Sequence, residues 1–124
     1  MIAVMLMLFA CSDPAPVDPS SPVAVGDQVA MRLTEAALLR QQGDAEGAEE
    51  AWREAHDTFE QVLEGPLRTG CGERCTTELE YGFGRVRHAL EANQRDVVAV
   101  ADALGVKIQG AAATLSRSAI EEDP

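Results

Sequence analysis

The sequence predicts an all-α protein, an antiparallel four-helix bundle built from two α-hairpins. Three observations support this fold class. Apolar residues recur at spacings of three and four, breaks rich in glycine, proline and asparagine separate these apolar stretches, and only 4% of the residues are aromatic. A β-sandwich would need more β-branched and aromatic residues than this alanine-rich chain offers. Short connections between the predicted helices favour antiparallel neighbours.

The first hairpin is predicted from two amphipathic stretches. Helix 1 is expected from about Val23 to Gln42, and helix 2 from about Ala45 to Glu64, with Asp44 as the N-cap of helix 2. We expect Gly65-Pro66 to end helix 2 and residues 67–75 to form a loop. The residues expected to face the core are Val29, Leu33, Ala36 and Ala37 in helix 1, and Ala48, Trp52, Ala55, Phe59, Val62 and Leu63 in helix 2.

The second hairpin follows the same pattern. Helix 3 is predicted to begin near Thr76 or Thr77, and helix 4 to run from about Val97 to about Ser116, with Asp96 as its cap. The turns at 40–44 and 92–96 are expected to be equivalent. The core-facing residues are Leu79, Phe83, Val86 and Leu90 in helix 3, and Val97, Ala101, Leu104, Ile108, Ala111 and Leu115 in helix 4. The helical domain is therefore predicted over 23–118, followed by a disordered acidic tail over 119–124.

The charge balance limits the partners of this chain. Asp and Glu number 21 against 10 Lys and Arg, which gives a formal net charge of -11. Such a surface repels the phosphates of nucleic acid and of anionic lipid headgroups, so we exclude both as electrostatic partners. The same surface attracts cations.

The N-terminal sequence centres on Cys11. An apolar run from Ile2 to Ala10 leads into Cys11, and serine, aspartate and proline follow at once. This arrangement resembles the lipobox of bacterial lipoproteins; the run is too short to span a bilayer. The resemblance implies that 1–10 is a signal peptide and that Cys11 carries lipid (palmitate). It also implies that 11–22 is a proline-rich tether, and that the protein faces the periplasm. Ser12, rather than aspartate, beside the cysteine favours the outer membrane.

The two remaining cysteines, Cys71 and Cys75, lie four residues apart. In an oxidising compartment a disulfide between them is the natural assignment, and the small loop it closes predicts a stabilisation of about 2 kcal/mol. Zinc is the alternative, but this C-x3-C lacks a second ligand pair at suitable spacing.

One group of residues has side chains that could bind a metal ion. There is no glycine-rich phosphate loop, nucleophile elbow or H-E-x-x-H motif, so we do not expect an enzyme. His56, Glu60 and Glu64 follow each other at four-residue spacing on predicted helix 2, and Glu80 lies on a comparable flank of helix 3. Imidazole and carboxylates suit iron, copper(II) or manganese. The alternative is that these glutamates are solvated or paired with arginines.

Two stretches resemble the extracytoplasmic helical domain of bacterial high-affinity iron permeases. They are Ala55–Leu67, which contains Phe59-Glu60, and Leu79–Arg87, which is similar to the family's Glu-x-x-Phe-x-x-Leu-Arg pattern. His56 replaces the family's usual tyrosine, the cysteine loop is an addition, and the membrane-embedded permease part is missing. The resemblance implies a helical domain that binds or hands over iron, with Glu60, Glu64 and Glu80 as contacts.

A second resemblance gives the alternative function. Gly43-Asp44, Ala48, Trp52 and Ala55 are similar to the small and large positions of one tetratricopeptide repeat, although no second unit follows. This implies a protein-interaction or scaffolding module without a ligand, whose partner is another envelope protein. Such a module should expose an apolar groove.

Overall fold

The computed structural model describes residues 21–122, with side chains described for 21–117. The signal peptide assigned to 1–10, Cys11 and most of the tether therefore lie outside the described residues. Within this range the elements are helical: α1 Pro22–Gln41, α2 Ala45–Thr58, a π-helical turn Phe59–Leu63, α3 Glu64–Gly70, α4 Glu73–Glu91 and α5 Val97–Glu122. Because α2, the π-helical turn and α3 follow each other without a break, the chain forms four helical rods. The predicted all-α bundle is confirmed.

The four rods form a closed ring. α1 packs against α2 and α5, and α4 packs against α2 and α5, so the α2–α4 seam lies opposite the α1–α5 seam. α1 and α5 approach closely at Gly26, which has no side chain. A Cβ at this position would lie 2.9 Å from the Cβ of Ala112. The largest fully buried side chains are Phe59, Phe83, Leu33, Leu63, Leu67, Ile108, Val29, Val86 and Val97.

The two tight turns have the same backbone hydrogen bonds. In the first, Gly43 N donates to Arg40 O and Asp44 N to Leu39 O; in the second, Asn93 N donates to Leu90 O and Gln94 N to Ala89 O. Gly43 and Asn93 have positive φ angles of 89° and 49°. This is the Schellman geometry, which needs a left-handed residue after the helix. The equivalence of the turns is confirmed, as is Asp44 as N-cap, whose carboxylate accepts from Gly47 N at 2.9 Å.

The prediction that Gly65-Pro66 ends helix 2 is wrong. The helix continues as α3 from Glu64 to Gly70, with Pro66 as its third residue. The extra residue in the π-helical turn also changes which side chains face the core. Val62, expected in the core, is 40% exposed, whereas Leu67, expected in a loop, is fully buried.

The corner between α3 and α4 contains the Cys71–Cys75 disulfide, with a Cα–Cα distance of 5.7 Å. Here the predicted cysteine pairing is confirmed. α4 begins at Glu73, earlier than expected, because Gly72 adopts a φ of 98° and its carbonyl accepts from the N–H and hydroxyl of Thr76. The half-buried cysteines pack against the core beside this corner.

α5 is the most apolar helix of the described part. Its segment Val97–Arg117 is long and apolar enough to cross a membrane by length and composition, with a mean hydropathy of 1.3. Core helices of soluble proteins meet the same criterion, and α5 packs against both α1 and α4. We therefore describe α5 as a core helix. It continues past the predicted end near Ser116 and overlaps the tail assigned to 119–124.

Candidate metal site

Three of the four predicted metal ligands meet at the α2–α4 seam. His56 lies in α2, Glu60 in the π-helical turn and Glu80 in α4. One ligand atom from each residue can be chosen so that all three lie within 4.8 Å of one another. His56 and Glu60, which are four residues apart on one rod, therefore form a single cluster with Glu80 on α4.

The imidazole of His56 stands between the two carboxylates. Its Nε2 lies 2.9 Å from Glu80 Oε2, and its Nδ1 lies 3.5 Å from Glu60 Oε1. The His56 side chain is 21% exposed, against 45% for Glu60 and 29% for Glu80. The cluster is thus sheltered on the α4 side and open to solvent on the Glu60 side.

Aromatic rings fix the orientation of His56. The Trp52 ring stacks on the imidazole at 4.9 Å between centroids with an interplanar angle of 26°, and the Phe83 ring lies 4.8 Å away. Trp52 is itself held by a buried hydrogen bond from Nε1 to Phe83 O at 3.0 Å. The Arg87 guanidinium lies over the indole at 5.1 Å. Because these contacts join α2 to α4, they also set the spacing between His56 and Glu80.

Glu80 has an unusual environment for a carboxylate. Its Oε1 is buried and has no hydrogen-bond partner among the described residues, while Oε2 faces His56. An ionised carboxylate oxygen left without a partner is costly, because burial removes the water that would otherwise solvate it. A bound cation would compensate for that cost.

Glu64 is not part of the cluster. Its Oε1 accepts from the Arg68 guanidinium at 2.8 Å, one helical turn further along α3. The same spacing joins Arg87 to Glu91 at 3.1 Å. The alternative interpretation, a glutamate paired with an arginine four residues away, therefore applies to Glu64. The four-residue interval between Glu64 and Arg68 is a signal in the sequence that could have removed Glu64 from the candidates.

The sequence did not identify the residues that support the site. Trp52 and Phe83 were expected only as core residues, and both are buried. The four-residue interval from Trp52 to His56 was the available signal, since it places both rings on one helix face. The second histidine, His88, is exposed on α4 and takes no part in the cluster.

The donor set is one imidazole nitrogen and two carboxylates. This mixed nitrogen and oxygen set suits iron, manganese, copper(II) and zinc better than it suits calcium, which prefers oxygen ligands alone. Three protein ligands leave further coordination positions on the solvent side for water or for another molecule.

Comparisons with protein-family models, with curated proteins and with solved structures find no match to this chain.

Proposed function

We propose that this chain is a lipid-anchored protein of the bacterial cell envelope whose helical domain binds a transition-metal ion at His56, Glu60 and Glu80. Two observations carry the metal proposal: one ligand atom from each of these residues lies within 4.8 Å of the others, and a buried oxygen of Glu80 has no hydrogen-bond partner among the described residues. The acidic surface of the chain supports it, because a net charge of -11 raises the local concentration of cations.

Iron is the ion that we favour. The imidazole and carboxylate donors suit it, and the resemblance of the two stretches to the extracytoplasmic domain of iron permeases points the same way. The open coordination positions on the Glu60 side suit an ion that is passed on rather than one that is permanently enclosed. The proposed role is therefore to bind iron at the membrane surface and hand it over.

Calorimetric titration of the purified chain with ferrous, ferric, copper(II), manganese(II) and zinc ions tests the metal proposal. We expect saturable binding of iron to a single site. The double variant Glu60→Gln, Glu80→Gln should weaken that binding by at least about tenfold, because it removes both carboxylate ligands.

The matched control is Glu46→Gln, Glu78→Gln, which removes the same charge from two exposed glutamates outside the cluster. It should bind iron as the parent chain does. If the two double variants lose affinity equally, binding is a property of the acidic surface, and the site is refuted.

The lipid anchor has a separate test. Cys11→Ser removes the sulfur that would receive the lipid, so we expect the variant to leave the membrane fraction and become soluble in the periplasm. Cell fractionation and immunoblotting measure this directly. Ser12→Ala, which changes the neighbouring residue but keeps the cysteine, is the control and should stay with the membranes. A Cys11→Ser variant that remains membrane-bound would contradict the lipoprotein assignment.

A further inference from the structure

An apolar groove runs along the α1–α5 seam, on the side of the ring opposite the metal cluster. Its volume is about 990 Å³, and Met31, Leu38 and Val106 line it. These three side chains are 73%, 44% and 66% exposed. Met31 and Leu38 are seven residues apart on α1, so both project on the same side of that helix. Large apolar side chains grouped in one groove mark an interaction surface.

The charges at the groove indicate the charge that its binding partner must carry. Arg32 is engaged by Glu35 at 2.8 Å and by Glu54 at 2.7 Å. The hydrogen bond to Glu35 and the charge of Glu54 raise the pKa of Arg32. Asp102 accepts a hydrogen bond from Thr34 at 2.7 Å across the seam. With Arg32 paired, the remaining charge is negative, so a second copy of this acidic chain is repelled and a cationic partner is attracted.

We propose that the α1–α5 groove binds a positively charged amphipathic helix of a partner protein. Two adjacent helices form a groove in which a third helix can lie, with its apolar side chains at i, i+3 or i+4, and i+7 covering Met31, Leu38 and Val106. Lysines or arginines on the flanks of that helix would face Asp102, a carboxylate of the groove that Arg32 does not engage. This inference does not depend on the metal site, because the α2–α4 seam contributes none of these residues.

The test uses a synthetic probe. A fluorescently labelled peptide of about 14 residues, with leucines on one helical face and lysines on the other, covers roughly four turns. Fluorescence anisotropy at low ionic strength should show saturable binding to the purified chain. The variant Met31→Asn, Val106→Asn should weaken it by at least about tenfold without changing the charge. The control Val62→Asn, Tyr81→Asn, which changes exposed apolar residues on other elements, should bind the peptide as the parent chain does.

Three results would overturn the proposal. Equal binding of a scrambled peptide of the same composition would indicate general electrostatic attraction. A dimer in sedimentation that the groove variant dissociates would make a second copy the occupant. Zwitterionic vesicles that bind the parent chain but not the groove variant would indicate a membrane surface. Circular dichroism of each variant confirms that the helices are retained, so a loss of binding reports on the groove.

Discussion

Replacing Phe83 by alanine should lower the free energy of unfolding by about 3–5 kcal/mol. Phe83 is 1% exposed, and its ring contacts three others: Trp52 at 6.2 Å, His56 at 4.8 Å and Phe59 at 5.0 Å. Its removal leaves a cavity at the α2–α4 seam and deprives the His56 ring of one of its supports. Since domains of this size are stable by only about 5–15 kcal/mol, the loss is a large part of the total.

Urea unfolding followed by circular dichroism measures this effect. The matched control is Tyr81→Ala, which removes an aromatic ring from the same helix at a position that is 71% exposed. Its cost should stay within about 0.5 kcal/mol, as is usual for surface changes. If Phe83→Ala is no more destabilising than Tyr81→Ala, the packing described for the α2–α4 seam is wrong.

The second large effect is expected at the proposed metal site. His56→Ala removes its one nitrogen ligand, and we expect the affinity for iron or copper(II) to fall by about a hundredfold or more, beyond the range typical of changes to supporting residues. Competition titration with a chelator of known affinity measures the change. The control is His88→Ala, which removes the second histidine from an exposed position on α4 and should leave the affinity unchanged. Equal losses in both variants would indicate adventitious histidine binding.

The helices and turns could be predicted because their signals are local. Stripes at spacings of three and four place apolar residues on one face whatever the helix packs against, and Asp44 caps α2 through contacts within one turn. Gly43 ends α1 for the same kind of reason, since its left-handed backbone is available to glycine without strain. These features depend on neighbours in the sequence and not on the packing of the bundle.

The π-helical turn was not predictable in this way. Its sequence, Phe59–Leu63, has no breaker, and the rule that glycine and proline end helices pointed to Gly65-Pro66 instead. The turn instead allows Phe59, Leu63 and Leu67 all to reach the core, so tertiary packing overrides the local signal. π-Helical turns recur at functional sites, and this one contains Glu60.

The candidate site was predictable in part because helical periodicity is a local signal. Helical angles placed His56 and Glu60 on one face and Glu80 on the facing flank of the next rod, and the structure brings these three together. The spacing does not specify the register between α2 and α4, which sets the contact of His56 with Glu80 and the hydrogen bond from Trp52 to Phe83.

The most direct test of the metal site uses the fluorescence of Trp52, the single tryptophan of the chain. Because its ring stacks on His56 at 4.9 Å, a paramagnetic ion bound by His56, Glu60 and Glu80 should quench the emission. Titration with ferrous iron or copper(II) should give saturable quenching that ends at one ion per chain and is absent in His56→Ala. Quenching that does not saturate, or that persists unchanged in His56→Ala, would contradict metal binding at this site.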